Sequence, residues 1–376
     1  MSDLLYNLAQ QLIQKKSVTP ENDGAIELVA DFLTKLGFKC QILDFAEANY
    51  PSVRNLYAKY GNSEKNLAFA GHTDVVPTGD SWEYPPFAAI IENGNLYGRG
   101  AVDMKGAIAA YMIATQEFLQ ESPNFNHSLS FIITGDEEDI AINGTVKILD
   151  WLKDKVSHTI VGEPTNPNQV GEMIKIGRRG SVNFTITSIG KQGHVAYPEN
   201  AINPVANMIK LLDYLNHYKF DRGNKFFDPT HLEVTDFNVN NHTSNIIPND
   251  CSARLNIRFN NEQTGENLVK FIKESCSKYL HQHKLDYRIS GEAFFNRDSY
   301  FTDLIANSIK SVTGKEPVKS TSGGTSDARF IKNICPVVEC GLINKTAHQI
   351  DEHISLEELL KLKNIYKEII KNYFTP

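Results

Sequence analysis

In residues 24–36, GAIELVADFLTKL, the side chains of Ile26, Val29, Leu33 and Leu36 fall on one face of a 3.6-residue period, which predicts an amphipathic helix. Three short apolar runs follow, and each ends in polar residues: NLAFAGHTD, SLSFIITGDEE and HTIVGEP. Runs of this length without alternation predict buried strands. Between the first two, DMKGAIAAYMIATQEFL at 103–119 has the length and alanine content of a helix. Buried strands separated by helices predict an α/β fold with a largely parallel or mixed sheet covered on both faces, and ligands bind beyond the strand ends of such sheets.

The pattern changes after Gly180. In CSARLNIRFN, alternation sets Ala253, Leu255, Ile257 and Phe259 on one face and Ser252, Arg254, Asn256 and Arg258 on the other. VNFTITSIG alternates in the same way, and Asn203-Pro204 predicts a capped helix running to about Asn216. Helices covering one face of an alternating sheet make 180–292 a separate α/β domain, inserted between a first segment at 1–179 and a second at 293–376. The last segment closes on SLEELLKLKNIYKEIIKNY, where Ser355 and Glu358 have capping-box spacing.

A chain of 376 residues readily forms two domains. The start lacks the basic and apolar regions of a secretory signal, and no stretch is long enough to cross a bilayer as a helix, so the expectation is a cytoplasmic protein without a membrane partner. A net charge of −7 argues against nucleic acid as a partner. Cys40, Cys251, Cys276, Cys335 and Cys340 form no CxxC pair and read as packing residues in a reducing compartment.

The residues able to carry chemistry come from five places far apart in the chain: His72 and Asp74, Asp103, Glu137 and Glu138, Glu163, and late in the chain His348. Any one alone reads as a loop residue or a helix cap. Together they offer imidazoles and carboxylates, the donors a divalent ion such as zinc accepts, and an aspartate can bridge two ions. The expected arrangement has Asp103 as bridge, His72 and Glu163 on one ion, and Glu138 and His348 on the other. Asp74, two residues from His72, is expected to hold the imidazole nitrogen that does not bind metal. Glu137 is assigned as the base acting on a water held between the ions, although the two adjacent glutamates could exchange roles.

Further along, His194 in GHVAYP is a candidate oxyanion donor, and Tyr197 belongs to the same loop. The double glycine of SGGTSDARF, with Gly324 and Thr325, precedes a predicted helix start at Ser326 or Asp327 and could receive a substrate carboxylate. Arg178, Arg258 and Asn245 are candidate clamps for the same kind of group.

The strings GHTDVVPTGD at 71–80, YGRGAVDMKG at 97–106, TGDEE at 134–138, VGEP at 161–164, GRRGS at 177–181, GHVAYP at 193–198, SNIIP at 244–248, GGTSDARF at 323–330 and TAH at 346–348 span nearly the whole chain. In this set the chain resembles the M20 metallopeptidases, and among them the succinyl-diaminopimelate desuccinylase branch. The resemblance implies a zinc-exopeptidase-like catalytic domain carrying an inserted dimerisation and lid domain. It also implies a homodimer with two zinc ions per subunit, cobalt being possible in the second site. The activity it implies is cleavage of N-succinyl-LL-2,6-diaminopimelate, a dicarboxylate amide, to succinate and LL-2,6-diaminopimelate in lysine biosynthesis. His72, Asp103, Glu138, Glu163 and His348 match the metal ligands and Glu137 the general acid/base. His194 matches an oxyanion donor supplied across the dimer, while its sequence alone leaves open which subunit's site it serves. A cis peptide bond between Asp103 and Met104 is a further expectation from the resemblance.

Overall fold

A computed structural model describes residues 2–375, and it divides them into two compact units. The first comprises residues up to Ile176 together with Asn296–Ser320 and the chain from Ser326 onward; the second is Gly177–Phe295 with Thr321–Thr325. The short Thr321–Thr325 segment is thus part of the inserted unit, whereas the sequence placed it with the last catalytic segment. Its attachment is local and polar: the Thr321 hydroxyl donates to the Phe226 carbonyl, and Arg178 Nη1 reaches the Ser322 carbonyl at 3.5 Å.

Among the described residues of the first unit, eight strands form one mixed sheet in the order Lys39–Phe45, Val53–Tyr60, Ser128–Thr134, Asn66–His72, His158–Val161, Val337–Glu339, Met173–Lys175, Val318–Ser320. Asn66–His72 runs parallel to Ser128–Thr134 and to His158–Val161, with His72 opposite Thr134. Every residue of Asn66–His72 and Ser128–Thr134 is buried, which explains their mainly apolar composition: a strand covered on both faces has no solvent side to mark with charged residues. Because these strands are parallel, the residues just past their ends are delivered to the same edge of the sheet.

The helix predicted over 103–119 is Gly106–Glu121, preceded by a wider turn over Ala101–Lys105. Its start is displaced because Asp103 (φ −122°, ψ 95°) and Met104 (φ −132°, ψ 27°) are not helical. The Asp103–Met104 peptide bond is cis. The helix is buried on nearly all sides, with Tyr111 stacked on Phe69 of the sheet at 4.4 Å and edge-on to Tyr366 of the terminal helix Leu356–Phe374 at 5.2 Å.

In the second unit, His231–Asn238, Asp250–Phe259, Gly180–Ile189 and Gln282–Gly291 form an antiparallel sheet in that order. Its inward residues Ala253, Leu255, Ile257 and Phe259 are buried as the alternation predicts. They pack with Met208, Leu211 and Leu215 from Pro204–His217 and with Leu268, Val269 and Ile272 from Gly265–Tyr279. The Asn203 side chain caps the first of these helices, accepting from the Val205 N–H at 3.0 Å and the Ala206 N–H at 3.3 Å.

The expected capping box at the terminal helix is not formed. Ser355 stands at the N-cap without a side-chain bond to the helix, and Glu358 instead accepts the Val170 N–H at 2.6 Å. All five cysteines are free and four are buried. Among the described residues no helix is long and apolar enough to cross a membrane.

Candidate metal centre

His72 ends its strand fully buried, with Nδ1 2.9 Å from the Asp74 backbone carbonyl. That carbonyl, nearer than the Asp74 carboxylate at 3.5 Å, fixes the tautomer that turns the Nε2 lone pair inward. The carboxylate of Asp74, itself wholly buried, stands at that 3.5 Å from Nδ1 and also accepts the Glu137 N–H at 3.1 Å and the Glu138 N–H at 3.1 Å. Asp74 thereby anchors the loop after Ser128–Thr134 that carries both glutamates. Successive backbone N–H groups are available because the chain turns there, so one acid orients two neighbours whose side chains diverge.

Asp103 lies between the two histidines. Its Oδ1 is 3.2 Å from His72 Nε2, and its Oδ2 is 3.2 Å from His348 Nε2. His72 Nε2 is also 3.6 Å from Glu163 Oε1, while His348 Nε2 is 3.0 Å from Glu138 Oε1. Each oxygen of one aspartate therefore faces its own histidine–glutamate pair. Ligand atoms of His72, Asp103 and Glu138 lie within 4.8 Å of one another, as do those of His72, Glu137 and Glu163. Glu137 thus shares the cluster, but the hydrogen bond to His348 belongs to Glu138, which distinguishes the adjacent acids.

Glycines bring these parts close. A Cβ on Gly71 would stand 2.5 Å from Met104 Cε, and one on Gly162 would stand 2.7 Å from it. The Met104 side chain occupies the room left by two glycines beside His72 and Glu163, and the residue before it, Asp103, is set at the centre.

The electrostatics call for cations. Burial, then the charge of Glu163, pushes the Glu137 carboxyl well above its ordinary value, and burial raises Glu138 against the pull of His348. Asp103 moves the other way: burial opposes its ionisation, but hydrogen bonds from His348 and His72 outweigh burial and hold it low. Hydrogen bonds to Asp103 and Glu138 push His348 up to about 10. His72, despite burial, is also raised by Asp103 and Asp74. Protonated imidazoles here do the neutralising that a divalent ion does. With the tautomer set by the Asp74 carbonyl, His72 Nε2 and Asp103 Oδ1 are two acceptors facing each other, a contact that requires an added proton or a metal between them. The donor set of imidazole nitrogens and carboxylate oxygens fits a pair of divalent ions.

The remaining predicted residues lie in the second unit. His194 follows Gly193 in a short strand paired with Ile246–Ile247; it is exposed, and its Nδ1 accepts the Ala196 N–H at 3.0 Å. Tyr197 is exposed beside it, ring centroids 5.6 Å apart, and the Asn245 carbonyl accepts the Val195 N–H at 3.1 Å, so His194, Tyr197 and Asn245 belong to one local structure. Arg258 stands opposite Ser181 on the polar face of the antiparallel sheet. Arg178 is buried and pairs with Phe294. A Cβ on Gly323 would stand 2.4 Å from Arg178 Nη1, and its φ of +105° also favours glycine; Gly324 and Thr325 follow directly. The helix expected after them is only Ala328–Ile331, with the acid Asp327 at its N-cap.

Two residues near the centre escaped the sequence reading. Glu352 and Arg99 are both buried, and Glu352 accepts N–H groups from the turn that carries Asp103. Their signal was weak: Arg99 lies inside YGRGAVDMKG and Glu352 only four residues after His348, but nothing in their spacing showed that they meet.

The family model described as Peptidase family M20/M25/M40 matches residues 68–372. The succinyl-diaminopimelate desuccinylase of Pelagibacter ubique (strain HTCC1062) is 49% identical to this chain over 98% of each protein. That of Wolbachia pipientis wMel is 48% identical over 98% of this chain and 93% of its own length. Among solved structures, the M20 family metallo-carboxypeptidase Sso-CP2 from Sulfolobus solfataricus superposes with a TM-score of 0.81 at 20% identity, covering 99% of both chains. The YXEP protein of Bacillus subtilis, described as a dinuclear metal binding peptidase, gives a TM-score of 0.71 at 16% identity over 98% of this chain and 97% of that one. With the family model running from within the strand that ends at His72 to within the terminal helix, the chain belongs to peptidase family M20/M25/M40.

Proposed function

We propose that this chain is a succinyl-diaminopimelate desuccinylase, hydrolysing the amide of N-succinyl-LL-2,6-diaminopimelate to succinate and LL-2,6-diaminopimelate in lysine biosynthesis. The observation that carries the chemistry is the two-sided placement of Asp103, one oxygen toward His72 and Glu163 and the other toward His348 and Glu138. The substrate reading draws its support from relatives of that name matched over nearly the full chain.

His72, Asp103, Glu138, Glu163 and His348 would hold two zinc ions, with cobalt admissible in the second site. Such ions, when bound, polarise the amide carbonyl and make water acidic enough to lose a proton near neutral pH. Glu137 takes that proton and returns it to the departing amine, a role that suits an acid in the cluster without a hydrogen bond to His348. Asp74 fixes the Glu137 and Glu138 backbone and, through its carbonyl, the His72 tautomer.

In the second unit, His194 would donate to the developing oxyanion, either within its own subunit or across a homodimer. Arg178, Arg258, Asn245, Tyr197, Gly324 and Thr325 would receive the substrate carboxylates, and the unit would serve as lid and dimerisation domain. A cytoplasmic location goes with the biosynthetic role proposed. The deciding experiment compares kcat/KM of the zinc-loaded protein on N-succinyl-LL-2,6-diaminopimelate, N-acetylornithine and simple dipeptides. Preference for the succinyl substrate is expected; preference for either of the others overturns the substrate.

A further inference from the structure

The turn bearing Asp103 begins a helix, and the first amides of a helix have no partner within it. Here a buried carboxylate from a distant segment serves them. Glu352 Oε1 accepts the Val102 N–H at 2.9 Å and the Asp103 N–H at 3.2 Å. Glu352 Oε2 accepts the Gly100 N–H at 3.1 Å and Arg99 Nη1 at 2.8 Å. All four groups are donors, so the geometry demands the ionised carboxylate: a protonated one would turn its own O–H toward another hydrogen.

Arg99 extends the connection. The same Nη1 donates to the Gln349 carbonyl at 3.1 Å, next to His348, and Nη2 donates to the Thr78 carbonyl at 3.2 Å. The guanidinium lies over the Trp82 ring at 5.1 Å. The backbone on either side is tied as well, with the Gly98 N–H donating to the Glu352 carbonyl at 2.8 Å and His353 paired to Tyr97. His348 is itself half-exposed and has a φ of +62°.

We infer that Glu352, with Arg99, is a positioning residue for the metal centre: its carboxylate fixes the Asp103 turn to the loop that carries His348 and so sets the separation of the two halves of the ligand set. Neither residue touches the reacting atoms. The inference rests on the metal-pair reading, which the metal stoichiometry of the unaltered protein tests by itself.

Glu352→Gln keeps the size of the side chain but turns an NH2 toward two of the four donors. Zinc affinity, measured by competition with a chromogenic chelator, is expected to fall about 10- to 100-fold, the usual cost of losing a group that orients a ligand. In the Co²⁺-loaded protein, the visible absorption and the magnetic coupling between the ions are expected to change. Melting of the metal-free protein separates this from a role in folding alone. Unchanged affinity and spectra in a folded Glu352→Gln overturn the inference, whether or not the metal-free Tm has dropped. Should Glu352→Gln fail to fold, Arg99→Lys is judged by the same readouts, because lysine keeps the charge but not the simultaneous reach to Glu352, Gln349 and Thr78. Two ions in the unaltered protein with no change in either variant sink the positioning role alone; fewer than two in the unaltered protein sink the reading beneath it.

Discussion

Glu137 and Glu138 are neighbours in the chain, and both amides are held by Asp74, yet only Glu138 is bonded to His348. On the proposed reading this difference makes Glu138 the ligand and Glu137 the base, and it can be tested directly. Glu137→Gln is predicted to keep its full complement of metal while kcat falls at least about 10²-fold, the lower range for losing a general acid/base; turnover equal to the unaltered enzyme would remove Glu137 from the chemistry. Protonation gives a second check. Hydrogen bonds to the neighbouring acids raise both His72 and His348, and the imidazoles must shed protons before they can bind an ion. Calorimetric titration of the metal-free protein with Zn²⁺ near pH 7, in buffers of different ionisation heat, is therefore predicted to show net proton release, and a heat independent of buffer would contradict it. Residue identity made the donor types readable, because strands of this sheet end in polar residues. The rest of what Asp74 does was not readable: its separation of two residues from His72 gave the carboxylate's approach, but not the nearer backbone carbonyl or the hold on the Glu137 and Glu138 amides.

At the scale of elements, local chemistry succeeds where the bonding partner is also local. Asn203 caps the helix it precedes, so Asn203→Ala is predicted to cost about 1 kcal/mol in chemical denaturation. Ser355 has capping-box spacing but makes no such bond, because Glu358 is drawn to the Val170 amide; Ser355→Ala is predicted to change stability by less than about 0.5 kcal/mol. Equal losses in the two variants would show that spacing rather than the observed bonding governs these helix starts. The helices Gly106–Glu121 and Leu356–Phe374 are joined by a buried ion pair, Lys363 Nζ to both oxygens of Glu117 at 2.9 Å. Burial acts to raise Glu117, but Lys363 and Lys367 outweigh it and hold the carboxyl below its ordinary 4.5. A depressed carboxylate contributes its full stabilisation above the unfolded value and loses it as pH falls through the folded one, so this contribution fades below about pH 4.5. Glu117→Ala is predicted to lower stability by about 3–5 kcal/mol at pH 7, since it strands a buried lysine. The difference from the unaltered protein should hold down to about pH 4.5 and shrink on further acidification; a gap that stays constant or grows as pH falls below about 4.5 would refute the linkage.

Across the molecule, hydrophobic pattern distinguished an unbroken apolar sheet from an alternating one, and the two units follow that distinction. The pattern did not show that Thr321–Thr325 joins the inserted unit, because that attachment consists of carbonyl contacts and a close approach at Gly323, which leave no periodicity. Nor did it show the tie between Glu352 and the Asp103 turn, a long-range bond between two polar segments. What was legible from end to end was the set of donors, and their meeting is the claim on which the chemistry depends. Anomalous diffraction at the zinc edge from crystals of the zinc-loaded protein tests it most directly. Two peaks are predicted, one flanked by His72 and Glu163, the other by His348 and Glu138, with an Asp103 oxygen on each; a single peak, or two that Asp103 does not bridge, would contradict it.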